Sequence, residues 1–237
     1  MTENAFEDAS ETAADWPARK TRPVTPRDAA TLILVRRDQG EPKVLMGRRH
    51  GGHSFMPDKW VFPGGRIDRA DFYAPHGADL RPDVAARLSK TAPRVRARAL
   101  AMAAVRETFE EVGLLLATPA PARVAAGPWR EFLAFGAAPD LSAMDFVARA
   151  VTPPALPKRY DARFFMADAV RLISLDRQPD CGELDEIAWF TLDAALDLDL
   201  PTVTRFVLRE VPKRLIDPTL PAPSLRFTRG KQRLIHL

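Results

Sequence analysis

Arg106-Glu107-Thr108-Phe109-Glu110-Glu111-Val112-Gly113-Leu114 ends a long helical stretch that begins near Pro93, and these nine residues carry three glutamates in one short run. At 100° per residue, Val105, Thr108, Phe109 and Val112 lie on one side of the helix, and Glu107, Glu110 and Glu111 lie opposite within a sector of roughly 100°. Gly113 supplies the stop, Thr91 a cap and Pro93 a first-turn residue. A solvated acidic face normally brings Lys or Arg three or four residues on to offset its repulsion. Here positions 114, 115 and 116 are all Leu, and the only nearby base is Arg106. The acids also crowd the end of the helix where the macrodipole is already negative. Such a face is unfavourable unless something positive binds it, and carboxylate oxygens are what Mg²⁺ and Mn²⁺ take.

Working upstream, Phe62-Pro63-Gly64-Gly65 follows the apolar burst Trp60-Val61-Phe62, and paired glycines let bare backbone approach a ligand. Before it, 30–35 and 43–49 read as two strands joined through the Asp38-Gln39-Gly40-Glu41-Pro42 turn. Downstream, short helices are expected around 83–89, 128–135 and 141–149, and strands at 163–167 and 187–192. An amphipathic helix at 202–215 and a terminal hairpin (225–228 with 233–237) complete the pattern. Strands early and late with helices between them predict a mixed α/β or α+β domain without repeats. Residues 1–27 read as a flexible lead-in and 28–237 as one domain.

Composition sets the outer bounds. The 237 residues are 46% apolar and 28% charged with a net charge of +4, which fits a globular chain with one sizeable core and excludes disorder as its main state. The single cysteine, Cys181, excludes an internal disulfide framework and a CxxC zinc site, and with no base beside it reads as inert. No window approaches 18 consecutive apolar residues, no secretory signal opens the chain, and the expected address is cytoplasmic. Basic charge concentrates at 17–28 and 211–237, but no nucleic-acid motif accompanies it, so nucleic acid and membrane are not expected partners. His50 and His53 lack a third ligand at zinc spacing and read as loop residues.

The helix and the glycine loop together resemble the Nudix box: Gly, five residues, Glu, seven residues, then Arg-Glu-apolar-any-Glu-Glu-any-Gly-apolar. Arg106 to Leu114 match it throughout except at Thr108, which takes an apolar slot, and Gly65 matches the first glycine. After five intervening residues Gly65 is followed by Asp71, not Glu, with Asp68 an equal contender, and 34 residues instead of seven separate Asp71 from Arg106. The resemblance extends over about 28–210. It implies an α/β/α sandwich with a mixed central sheet and a helical insertion at about 72–95. It also implies a diphosphatase acting on a nucleoside diphosphate derivative, with Glu107, Glu110, Glu111 and the Gly64 carbonyl holding Mg²⁺ or Mn²⁺. Arg106 would orient a carboxylate, and the general base would be Glu107 or a later acid, Glu183 or Glu186.

The insertion, Phe55-Met56-Pro57 before the glycine loop, Thr152-Pro153 and Lys158-Arg159-Tyr160-Asp161-Ala162-Arg163-Phe164-Phe165 resemble the acyl-coenzyme A diphosphatase branch. That implies cleavage of coenzyme A or its thioesters to 3′,5′-ADP and a phosphopantetheine, with Arg48, Arg49, Arg163 and Phe55 as substrate contacts. One departure is Asp58, where coenzyme A diphosphatases often carry glycine. The same chemistry on ADP-ribose, a dinucleotide or a nucleotide sugar is the enzyme alternative, a catalytically silent metabolite sensor the other. The expected partner is a small nucleotide-type molecule, with a homodimer possible. Trp129, Phe132, Phe135 and Phe146 read as core or lid packing.

Overall fold

The computed structural model describes residues 24–38, 40–52, 57–177, 184–228 and 231–237. Its organising strand is β1 (Arg27–Arg36), in which Ala30, Leu32 and Leu34 face one way and Ile33 and Val35 the other, all buried. Burial on both faces is why this strand reads as an unbroken apolar run rather than an alternation. β1 pairs in parallel with β8 (Tyr160–Asp168), and antiparallel with β2 (Lys43–Arg49) and β4 (Gly64–Arg66). With β3 (Trp60–Val61), β7 (Asp145–Val151), β9 (Leu184–Thr191), β10 (Pro223–Thr228) and β11 (Lys231–His236), the described residues form a mixed sheet. Its order is β11-β10-β7-β8-β1-β2-β3, with β4 also on β1 and β9 on β2. A separate small ribbon joins β5 (Ala117–Pro119) to β6 (Ala137–Pro139).

The helices cover both faces. Against Leu32 and Leu34 pack α1 (Pro82–Ser89), α2 (Arg94–Val112) and α3 (Arg130–Ala134). Against Ile33 and Val35 pack α4 (Leu192–Leu196) and α5 (Thr202–Ile216). The result is the α/β/α sandwich expected of the resemblance. None of the helices among the described residues is long and apolar enough to cross a membrane.

Several local expectations change. Helix α2 begins after Pro93, which is its N-cap without a side-chain bond; the Thr91 hydroxyl donates instead to the Leu88 carbonyl, 3.0 Å away. Gly113 does end the helix, at φ 69°, where its N–H donates to the Phe109 carbonyl. Residues 141–149 are not a helix. Asp140 caps one 3₁₀ turn over Leu141–Ala143, and β7 follows. The ladder to β8 shifts between Phe146 and Ala148, so Phe146, Val147 and Ala148 are all buried in succession, which erases the alternation a strand should show. At 128–135 a 3₁₀ turn, Gly127–Trp129, runs into α3.

The insertion packs as part of the body, not as a detached lobe. Leu80, Val84 and Leu88 join the core beneath α2, Asp79 accepts two hydrogen bonds from Arg98, and Arg87 donates to the Pro218 carbonyl at 2.8 Å. Arg81 pairs with Asp145 at the start of β7.

Candidate active site

The two halves of the box-like pattern meet through one buried ion pair. Asp68 starts a 3₁₀ turn over Arg69–Phe72 as its N-cap, and its own N–H is received by Asp71 at 2.7 Å, a reciprocal capping box. That turn points Asp71 inward, where it is 1% exposed. Its Oδ1 accepts from Arg106 Nε at 2.9 Å and from Trp129 Nε1 at 2.9 Å, and its Oδ2 accepts from Arg106 Nη2 at 3.1 Å. Asp68 is exposed and only caps the turn, through Ala70 N–H. Of the two contenders, Asp71 therefore holds the halves together across the 34-residue gap. Trp129 belongs to this junction too. Nothing near it in sequence signals that role, because its partner lies 58 residues away.

Arg106 is the hub. Besides Asp71 it donates to the Arg66 carbonyl at 2.9 Å and to Glu110 at 2.6 Å, and its Nη1 lies 2.9 Å from Glu107. Burial opposes its charge, but the three carboxylates outweigh that and keep it firmly protonated. Glu107 is the perturbed acid. Burial, against the favourable Arg106 charge and with Glu110 adding repulsion, pushes its carboxyl up to about 7.

The glycine loop is shaped around these acids. A Cβ on Gly65 would stand 2.4 Å from the Glu107 carboxylate, and one on Gly64 would stand 2.5 Å from the Ala30 carbonyl, so both positions need glycine to let β4 approach α2 and β1. Gly64 N–H donates to Glu111 Oε2 at 2.9 Å, which ties the loop to the last turn of the helix. The acidic face is thus not solvated: Glu111 is buried, Glu107 nearly so, and Glu110 is the most open of the three. Thr108 is buried in its apolar slot because its hydroxyl donates to the Ala104 carbonyl one turn back.

The other expected contacts are scattered. Arg48 and Glu186 face each other across β2 and β9 at 3.5 Å, both substantially exposed. Arg49 adjoins them; its backbone N–H donates to the Lys59 carbonyl. Arg163 does not come to this site. It is 1% exposed and donates to Asp28 at 3.0 Å, to the Asp161 carbonyl at 2.8 Å and to the Thr91 carbonyl at 3.1 Å, so its guanidinium serves the interior. Phe55, His53, Cys181 and Glu183 lie outside the described residues. Phe132 and Phe146 are core, whereas Phe135 is half exposed.

Among the described residues, no three His, Cys, Asp or Glu side chains stand preassembled as a metal cluster; Glu107 and Glu110 lean on Arg106 instead. The donor set nevertheless suits a hard cation. It offers carboxylate oxygens and a backbone carbonyl, and includes a buried acid whose charge is unfavourable without added positive charge.

The NUDIX domain family model matches residues 25–211. A NUDIX hydrolase from Alicyclobacillus acidocaldarius is similar, with a TM-score of 0.60 and 28% identity over 78% of this chain and 90% of its own. The NUDIX domain of Shewanella oneidensis NrtR, complexed with ADP ribose, is 14% identical with a TM-score of 0.49, covering 91% of this chain and 99% of its own. A C. elegans Ap4A hydrolase is 16% identical with a TM-score of 0.42, covering 80% and 98%. No curated protein matches.

Proposed function

The chain belongs to the NUDIX family and is a pyrophosphohydrolase of nucleoside diphosphate derivatives, and from that premise we propose that its substrate is coenzyme A or an acyl-coenzyme A. The products are 3′,5′-ADP and an (acyl-)phosphopantetheine. The observation that carries the catalytic assignment is the Asp71–Arg106 pair, which closes the box across the insertion and presents Glu107, Glu110 and Glu111 beside Gly64.

Glu107, Glu110, Glu111 and the Gly64 carbonyl are the groups that would hold Mg²⁺ or Mn²⁺. When bound, such an ion acidifies water and neutralises charge on the diphosphate. Arg106 positions Glu107 and Glu110 from behind. Glu107, with its carboxyl near 7, suits a general base at neutral pH, while Glu186, open on β9, is the alternative acid for that role.

The sequence likeness outside the box supports the coenzyme A reading. Asp58, where coenzyme A diphosphatases often carry glycine, departs from it; the residue adopts φ 60°, the left-handed region that glycine favours.

Purified protein with Mg²⁺ or Mn²⁺ is assayed against coenzyme A, acyl-coenzyme A, ADP-ribose and NADH. Coenzyme A or its thioesters should be cleaved fastest. Cleavage of ADP-ribose alone would reject the substrate assignment, and no cleavage of any would favour a metabolite sensor. Glu110→Gln should lower turnover at least ~10²-fold while leaving the unfolding midpoint close to wild type, since Arg106 keeps Asp71 and Glu107 as partners. Wild-type turnover in that variant would sink the assignment of Glu110.

A further inference from the structure

Three arginines that the chemistry above does not use converge on one pocket. Arg27 opens β1, Arg66 closes β4 and Arg96 stands in the first turn of α2; with Asp28, Ile67 and Phe72 they line a cavity of about 370 Å³. Among the described residues, no ion pair or hydrogen bond reaches the side chain of Arg27 or Arg66, and both are exposed. Arg96 has only a distant partner, with its Nε 3.6 Å from Asp28 Oδ2. The one acid in the pocket is already neutralised from the interior, because Asp28 Oδ1 receives Arg163 Nη1 at 3.0 Å. The pocket lining therefore sets three arginines against one compensated carboxylate. The first turn of α2 adds to this field, for it contains no acid where the macrodipole is positive.

The remaining walls are Ile67 and the partly exposed ring of Phe72, an apolar surface on which a nucleobase can stack. The pocket also borders the catalytic loop. Arg66 follows Gly65, which faces the Glu107 carboxylate, and the Arg66 carbonyl receives Arg106.

We propose that this pocket is the subsite for a phosphomonoester carried on the nucleoside of the substrate, with Arg27, Arg66 and Arg96 as its ligands. A dianion with three oxygens matches guanidinium donors converging from three elements better than a single carboxylate does. The assignment rests on the reading that a nucleoside diphosphate derivative is cleaved at Glu107, Glu110 and Glu111. It replaces Arg163, whose guanidinium is committed to Asp28 and Asp161.

The test compares coenzyme A with 3′-dephospho-coenzyme A, which differ by that one group, using calorimetry in EDTA so that binding is read without turnover. Coenzyme A should bind wild type at least ~10-fold more tightly, the scale of one charge-assisted contact. The two should bind R27Q/R66Q equally. Equal affinities in wild type, or a preference that survives R27Q/R66Q, overturn the subsite. Calorimetry with 3′,5′-ADP, together with the hydrolysis assay, separates this from the substrate reading. Arginine-dependent binding of 3′,5′-ADP with no hydrolysis of coenzyme A keeps the subsite and rejects coenzyme A as substrate. Hydrolysis of coenzyme A with no arginine-dependent preference does the reverse.

Discussion

Asp71→Asn is the substitution that isolates what holds the site together. The four groups around Asp71 are all donors: Arg106 Nε and Nη2, Trp129 Nε1 and the Asp68 N–H. A carboxylate serves all four. A carboxamide presents one oxygen to two of them and turns its own NH₂ against the other two, while Arg106 loses a buried counter-charge. Breaking a buried pair by neutralising one partner costs about 3–5 kcal/mol. In a chain of this size each kcal/mol lowers the melting temperature by about 2–4 °C, so a fall of roughly 10 °C is expected. Asp68→Asn is the control, since Asn caps a turn as well as Asp does and the side chain is exposed; its effect should stay within about 0.5 kcal/mol. Both are read by urea unfolding in EDTA, with differential scanning calorimetry for the melting temperature. If Asp68→Asn proves as costly as Asp71→Asn, or Asp71→Asn costs less than about 1 kcal/mol, the junction has been assigned to the wrong acid.

Glu107 gives a pH dependence of definite sign. Its folded carboxyl sits near 7, above the unfolded value of 4.5, so the folded protein holds a proton that the unfolded chain has released across that window. Stability contributed by this group therefore falls as pH rises from 4.5 to 7 and is flat above, by up to roughly 3 kcal/mol in metal-free protein. Glu107→Gln removes that fall, so in EDTA it should gain stability relative to wild type between pH 5 and pH 8 while losing activity; an unchanged difference at the two pH values would contradict the burial argument. Gly65→Ala drives a methyl into the Glu107 carboxylate and should lower turnover about 10²-fold, the scale of a 1 Å misplacement, with a stability loss of about 1–3 kcal/mol. Retained turnover in steady-state assays would show that Glu107 need not sit against the loop.

How much of this was legible in sequence depended on whether the signal was local. Helix α2, its Gly113 stop and the glycine loop could be read because each is specified within a few residues. Asp71 could not be told from Asp68, since three residues of chain give both the same neighbours and only the inward turn separates them. The strand at Asp145–Val151 was hidden by its bulge, which buries three successive residues and imitates a helix pattern. The ribbon of β5 and β6, three residues each among Pro and Ala, had no periodicity to show. Arg163 looked like a substrate cation because nothing in Tyr160-Asp161-Ala162-Arg163 reveals that β1 brings Asp28 beside it through a parallel ladder. Arg27, Arg66 and Arg96 come from three elements, and no spacing could have joined them.

The split pattern tolerates its insertion because side chains, not chain continuity, align the halves. Lengthening a flexible link from seven to 34 residues raises its closure cost only by (3/2)RT ln of the ratio, about 1.4 kcal/mol. Breaking the Asp71–Arg106 pair costs more than that, about 3–5 kcal/mol. The inserted segment also contributes its own anchors, burying Leu80, Val84 and Leu88 under α2 and tying Asp79 to Arg98. Burial raises the Asp79 carboxyl, but the Arg98 and Leu80 donors outweigh this and hold it below the ordinary range. The insertion is therefore a support for the helix that carries the three glutamates, and a truncation within 80–90 removes core under α2 while leaving Phe72 and the three glutamates in the chain.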